Sequence, residues 1–192
     1  MIEALESLDR ALFLFLNGLH CDALDPIMMW ISDKFVWIPF YLLLVIFIVR
    51  KHEWRSLIII IPALIIMVTL SDQISVQVFK NGFERFRPCH NEDIKNMIHL
   101  LGNCGGQYGF ISSHATSTFA LAAFIIYVMK SRPIVYVMLV WAVLVSYSRI
   151  YLGVHYPADV LGGALVGWLV GYGVWIMTKR VNARLDYILS YE

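Results

Sequence analysis

Ser148-Arg149-Ile150-Tyr151-Leu152-Gly153-Val154-His155-Tyr156-Pro157-Ala158-Asp159 is a polar island between two apolar runs, 134–145 and 160–177. A cation, an imidazole and a carboxylate meet there. Such groups are expensive beside hydrocarbon, so a membrane boundary that holds them points to partners or to a ligand. Working outward, apolar runs at 36–49, 57–70 and 115–129 complete a set of five. Each approaches or reaches the about 20 residues that span a bilayer once its flanks are added. Two further polar clusters, Lys80…Arg87-Pro88 and Ser112-Ser113-His114, stand at comparable boundaries.

The composition agrees. Of 192 residues, 59% are hydrophobic and 15% charged, and the mean hydropathy is +0.69. A soluble domain of this length does not normally carry that apolar excess. A net charge of +1 with no basic tract argues against a nucleic-acid partner. The acidic start, with Glu3 and Glu6, does not resemble a cleaved signal peptide. The reading is an all-α, polytopic transmembrane helix bundle forming a single membrane-embedded domain over 1–192.

Within 1–33 the apolar pattern is interrupted by Asp22, Asp25 and Pro26, as in a broken or interfacial helix pair. The bundle therefore has five or six crossings. Helices are expected over about 35–50 and 54–80, and from about 113, 134 and 157, with a long polar loop over 81–112. Arg50, Lys51, Arg55, Lys130, Arg132, Lys179, Arg180 and Arg184 then share one side, which the positive-inside rule makes cytoplasmic. The three polar clusters share the other, which is periplasmic in a bacterium.

The residue types suit phosphate chemistry. Lys80, Arg87 and Arg149 supply dispersed positive charge, and each arginine can bind oxygens bidentately. Lys80 and Arg87 share a face if the helix runs through both, with Pro88 ending it. Ser112 or Ser113 caps the helix that follows, and a helix N-terminus offers free N–H groups to an anion. Pro157 opens the last helix, with Asp159 in its first turn. The spacing lets Asp159 reach one nitrogen of His155 and leave the other free to attack. The alternative for the cations is snorkelling to lipid headgroups; for the serines and His155 it is a structural role.

In order and spacing, Lys80-x6-Arg87-Pro88, Ser112-x-His114 and Ser148-Arg149-x5-His155-x3-Asp159 resemble the three-part signature of the type 2 phosphatidic acid phosphatase superfamily. The resemblance implies a membrane lipid phosphatase that works without a metal or other cofactor. It implies that His155 is the nucleophile forming a phosphohistidine, that Asp159 orients it, and that His114 protonates the leaving oxygen and then activates water. Lys80, Arg87, Ser112, Ser113 and Arg149 are implied as phosphate binders. Ile111 and Ser113 stand where the family usually has Pro and Gly. The short chain resembles undecaprenyl-diphosphate phosphatases; lipid A phosphatases and phosphatidylglycerophosphate phosphatases share the signature. Vanadate-dependent haloperoxidases have a similar constellation but are soluble. The non-enzyme alternative is a transport or assembly protein with a vestigial site. The sequence does not specify an oligomeric state.

Four features stand outside the signature. Cys89 and Cys104 are either two thiols or a disulfide, with Cys21 left over. Gly163, Gly167 and Gly171 favour close helix packing, within the bundle or between copies. Asp72 either pairs with Lys80 or Arg149 or joins a polar knot with Ser75 and Gln77. His90, His99 and Glu84 read as solvated loop residues, and Trp37, Trp54 and Trp175 as interfacial anchors.

Overall fold

The described residues form seven helices: α1 (Ile2–Asn17), α2 (Asp25–Ser32), α3 (Ile38–Lys51), α4 (Leu57–Phe83), α5 (Ser113–Met129), α6 (Arg132–Tyr151) and α7 (Pro157–Leu189). They come from a computed structural model that describes residues 2–52 and 57–189, and the side chains of 3–52 and 57–183. Trp54, Arg55 and the side chain of Arg184 lie outside the described residues. Proline in the first turn, where its missing N–H costs nothing, opens α2, α3, α6 and α7. Helices α4, α6 and α7 are long and apolar enough to cross a membrane, and α5 is a shorter apolar helix of 17 residues.

Helix α5 is the centre of the bundle. Ala120, Ala122, Ala123, Phe124 and Ile125 are almost wholly buried along it. The glycine ladder of α7 lies against it. A Cβ on Gly167 would stand 2.2 Å from the carbonyl oxygen of Thr116, and one on Gly171 2.2 Å from that of Ala120. The small residues thus let α5 and α7 touch backbone to backbone within the bundle.

The N-terminal segment folds as two separate helices, α1 and α2. Helix α1 lies over the ends of α6 and α7, where Phe13 packs with Ile94, Ile150 and Tyr156. Its Asn17 donates to the carbonyls of Ile150 and Tyr151 at 3.1 and 2.8 Å, satisfying acceptors that the end of α6 leaves open. Leu5, Leu8, Leu12 and Phe15 remain exposed on its outer side. At the opposite end of the bundle, the Lys51 ammonium reaches the carbonyl of Met129, bringing the C-termini of α3 and α5 together.

Two expectations change. Helix α4 passes through a π-helical stretch, Ile74–Lys80, and stops at Phe83, because Glu84 takes a left-handed conformation (φ +48°). It does not continue through Arg87, and Pro88 opens a short 3-10 turn rather than ending α4. His99 is not a free loop residue: its Nε2–H donates to the Asp25 carboxylate at 3.0 Å, and its ring stacks on His20 at 3.7 Å and meets Tyr151 edge-on. Trp37, at the start of α3, is half-buried, its indole N–H donating to the Ile31 carbonyl and its ring packed on Trp141. The loop between α4 and α5 is closed by a disulfide between Cys89 and Cys104, while Cys21 is free and exposed.

Candidate active site

The three signature segments converge at one end of the bundle. His155, in the short connection between α6 and α7, is 2% exposed. Its Nδ1 faces Asp159 Oδ2 at 3.4 Å, and its Nε2 faces a guanidinium nitrogen of Arg87 at 3.1 Å. The carboxylate can only accept and the guanidinium can only donate, so Nδ1 carries the proton and Nε2 holds the lone pair. Burial pushes the His155 pKa down to about 4 against the pull of Asp159, which keeps the imidazole neutral near pH 7.

Asp159 is fully buried, so its charge needs partners. Arg85 donates to Oδ1 at 2.8 Å, and the Tyr156 backbone N–H donates to Oδ2 at 2.9 Å. Arg85 donates its other terminal nitrogen to Asp9 of α1 at 2.7 Å, and its guanidinium lies 4.3 Å from the ring centre of Tyr156. Asp9 in turn accepts the Ala158 N–H at 2.8 Å, one of the open donors at the start of α7. Burial works against the charge of Arg85, and the two aspartates outweigh it, raising its pKa. Asp9 and Arg85 were not legible as site residues. Arg85 differs from a boundary cation only in what it touches, and Asp9 lies outside the signature by about seventy residues.

Arg87 is delivered by the loop. Its backbone N–H donates to Gln107 at 3.1 Å, and Phe86 pairs with Tyr108 in an antiparallel bridge. Its guanidinium also donates to the Val154 carbonyl at 3.2 Å. Gly109 sits against it, and a Cβ there would come within 3.0 Å of the Arg87 side chain and 3.2 Å of Asp159. Lys80, at the end of the π-helical stretch, donates to Ser113 Oγ at 2.7 Å, and that hydroxyl also meets Ser75 at 2.7 Å. Arg149, in the last turn of α6, donates to the Ser32 hydroxyl of α2, and His114 reaches the backbone of the same residue. The Nε atoms of both Arg87 and Arg149 are buried without a hydrogen-bond partner among the described residues.

The serines divide by role. Ser112 is the N-cap of α5: its hydroxyl accepts from Ala115 at 3.5 Å, and its own N–H donates to the Asp159 carbonyl at 3.0 Å. It is fully buried, with its hydroxyl turned to its own helix. Ser113, in the place of the usual glycine, contacts Lys80 instead. Ser148 donates to the Val145 carbonyl at 2.7 Å and stays within α6. Asp72 forms no salt bridge with Lys80 or Arg149; its backbone carbonyl accepts from Ser75.

Cys89, His90 and Cys104 are the one grouping among the described residues with metal-ligand proximity. The disulfide occupies both sulfurs, which leaves His90 alone.

A cavity of about 760 Å³ runs from His114 and Ser113 down between α3, α4, α5 and α6. Its upper wall is polar, and its lower wall is formed by side chains such as Leu44, Ile48, Leu64, Leu121 and Ile125.

Several known proteins resemble this chain. A lipid A 4'-phosphatase of Bacteroides thetaiotaomicron is 32% identical over 97% of this chain and 84% of its own length. One of Porphyromonas gingivalis is 36% identical over 95% and 78%. An undecaprenyl-diphosphatase of Sulfolobus acidocaldarius is 30% identical over 93% and 83%. In fold, the chain is similar to crystal structures of Aquifex aeolicus LpxE (TM-score 0.63, 24% identity, 90% of this chain and 95% of that one) and of a transmembrane PAP2-type phosphatidylglycerolphosphate phosphatase from Bacillus subtilis (TM-score 0.68, 23% identity, 94% and 87%). The family model for the PAP2 superfamily matches residues 60–183, which takes in Lys80, Arg87, His114, Arg149, His155 and Asp159 together. With that match and with relatives aligned over nearly its whole length, the chain belongs to the PAP2 superfamily of membrane phosphatases.

Proposed function

We propose that this membrane phosphatase removes a phosphate monoester from a glycolipid of the lipid A class, at the membrane face opposite the cytoplasm. The observation that carries the catalytic part is the tautomer of His155, with Nδ1–H on Asp159 and the Nε2 lone pair beside Arg87. Nε2 attacks phosphorus, the P–O bond to the lipid breaks, and His114 gives its proton to the departing oxygen. Water then attacks the phosphohistidine, His114 takes its proton, the P–N bond breaks, and inorganic phosphate leaves with His155 neutral again. Lys80, Arg87, Arg149 and Ser113 hold the transferring oxygens. The partnerless Nε atoms of the two arginines provide donors for charge that grows in the transition state. Ser112 contributes through the α5 N-terminus that it caps.

The substrate class is supported by the two lipid A 4'-phosphatase relatives and by a cavity that is polar near His114 and apolar deeper down. Undecaprenyl diphosphate is the second reading, favoured by full-length relatives that carry that name. The test is phosphate release by purified protein from lipid A, undecaprenyl diphosphate and phosphatidylglycerophosphate. Lipid A is expected to give the highest kcat/KM, and His155→Ala to release nothing. No release from any of the three would refute the enzyme reading. His114→Ala should accumulate acid-labile phosphoprotein when the leaving group is good.

The proposed sidedness is supported by the positive-inside rule, with Arg50, Lys51, Lys130 and Arg132 at the end remote from the site. Cys21 belongs to the site end, since its N–H and carbonyl both meet the Tyr151 hydroxyl at 3.1 Å. A membrane-impermeant maleimide should label it in intact spheroplasts; labelling only after lysis would invert the orientation.

A further inference from the structure

Asp72 is a carboxylate on a membrane helix, one turn before Ser75, the residue that touches Ser113. It is exposed, and neither a hydrogen bond nor a salt bridge engages its side chain among the described residues. It feels the charge of Lys80 without contact. A partnerless charge at this depth is costly unless it faces a cavity or a ligand. Asp72 lines the cavity that begins at His114, with Gln73 and Thr69 beside it on α4 and Ser117 and Thr118 opposite on α5. The polar wall therefore lies between the proton donor and the apolar depth of the cavity. That is where the atoms next to the departing oxygen must lie.

We propose that Asp72, with Gln73, forms a leaving-group subsite that selects an alcohol bearing hydroxyl or amide donors beside the departing oxygen and rejects a leaving group whose departing oxygen belongs to a second phosphate. This rests on the lipid-phosphatase reading above and deepens it. A sugar or glycerol leaving group presents O–H or N–H donors, which a carboxylate accepts in charge-assisted hydrogen bonds. A lipid diphosphate instead leaves as a lipid monophosphate, whose charge would face Asp72 across the same space. Like charges juxtaposed in a site discriminate strongly against the wrong partner. One residue thus separates ester from diphosphate substrates while the phosphate-binding cations treat both alike.

The experiment measures kcat/KM for lipid A, phosphatidylglycerophosphate and undecaprenyl diphosphate in native protein, Asp72→Asn and Gln73→Leu. Each value is divided by that for p-nitrophenyl phosphate, so that loss of folded protein cancels. In Asp72→Asn the lipid A ratio should fall about tenfold, and the undecaprenyl diphosphate ratio should rise. Gln73→Leu should lower the lipid A ratio without raising the diphosphate ratio, because it removes a hydrogen bond but no charge. If phosphatidylglycerophosphate falls as far as lipid A, the subsite reads any donor-bearing alcohol; if it falls less, the subsite reads a sugar. Ratios within twofold of native for every lipid would overturn the subsite while leaving the phosphatase reading intact. Native protein that released phosphate from no lipid would overturn both.

Discussion

Replacing Arg85 with Met should cripple the enzyme although Arg85 lies outside the signature. The substitution keeps the length of the stem and removes the one arginine or lysine that pairs with Asp159 among the described residues. Asp159 would keep two neutral donors, the Tyr156 N–H at 2.9 Å and His155 Nδ1 at 3.4 Å, in a site with no exposure to solvent. Stranding one member of a buried ion pair costs about 3–5 kcal/mol. The side chain of Arg85 is 24% exposed, so water shares part of its role and the lower end applies, about 3 kcal/mol. Asp9, at 11% exposure, is stranded as well. Relaxation of Asp159 toward water would pull on Nδ1 of His155 and misdirect Nε2. A misplacement of about 1 Å costs on the order of 100-fold in turnover. The assay is kcat and KM with one lipid phosphate, alongside thermal unfolding in detergent. The fall should appear in kcat rather than KM, because Arg85 positions the nucleophile through Asp159 and binds no phosphate. Arg85→Lys should recover part of kcat, since a point charge can serve Asp159 but cannot bridge both aspartates. Adding Asp9→Asn to Arg85→Met should restore some stability by removing one stranded charge while leaving an oxygen to accept from Ala158. Native kcat in Arg85→Met, or a loss confined to stability at unchanged kcat, would refute the positioning argument.

The pH dependence follows from His155, held at about 4 by burial. The nucleophile is neutral above that value, so kcat/KM should fall only as pH drops through about 4, not through the 6.5 of an ordinary imidazole; a log kcat/KM profile with its acid limb near 6.5 would contradict this. The folded-state pKa lies below the unfolded one, so this contribution to stability is complete above about pH 6.5 and is lost as pH falls toward 4, which melting curves over that range would show. The double variant Cys89→Ser, Cys104→Ser opens a 15-residue loop and should lose about 3 kcal/mol, read as a lower Tm; an unchanged Tm would mean that the loop's other contacts suffice. Gly167→Ala places a methyl 2.2 Å from the Thr116 carbonyl oxygen and should cost about 3 kcal/mol, whereas Gly173→Ala, which meets nothing within 4 Å, should be near neutral.

What the sequence made legible was the chemistry carried at short range. His155 and Asp159 are four apart at the start of one helix, so the helix itself brings them together. Lys80, Ser113 and Arg149 each stand at the end of an apolar run, where only a few directions are open. The bundle was legible for the same reason, since apolar periodicity and proline starts are local. Arg87 comes beside His155 by another route than the expected helical phase. The helix ends at Glu84, and a loop anchored at Gln107 and bound by the disulfide carries the guanidinium in. Tertiary pairing did what helical phase was expected to do.

The residues that sequence reasoning missed, Asp9, Ser32 and Arg85, share one property: each acts on a site residue from a different element. An aspartate on an amphipathic helix and a serine at a helix end are among the commonest residues in such places, and nothing local marks them. Their contacts also explain why the chain keeps a helix pair that adds no long apolar span. Asp9 caps the start of α7 and shares Arg85 with Asp159, and Ser32 meets Arg149 and His114. Helices α1 and α2 pack at the end of the bundle where His155 and Asp159 are buried. The proposed role of His155 depends on that burial, because solvent reaching Asp159 would weaken its hold on Nδ1 and release Nε2 from its aim.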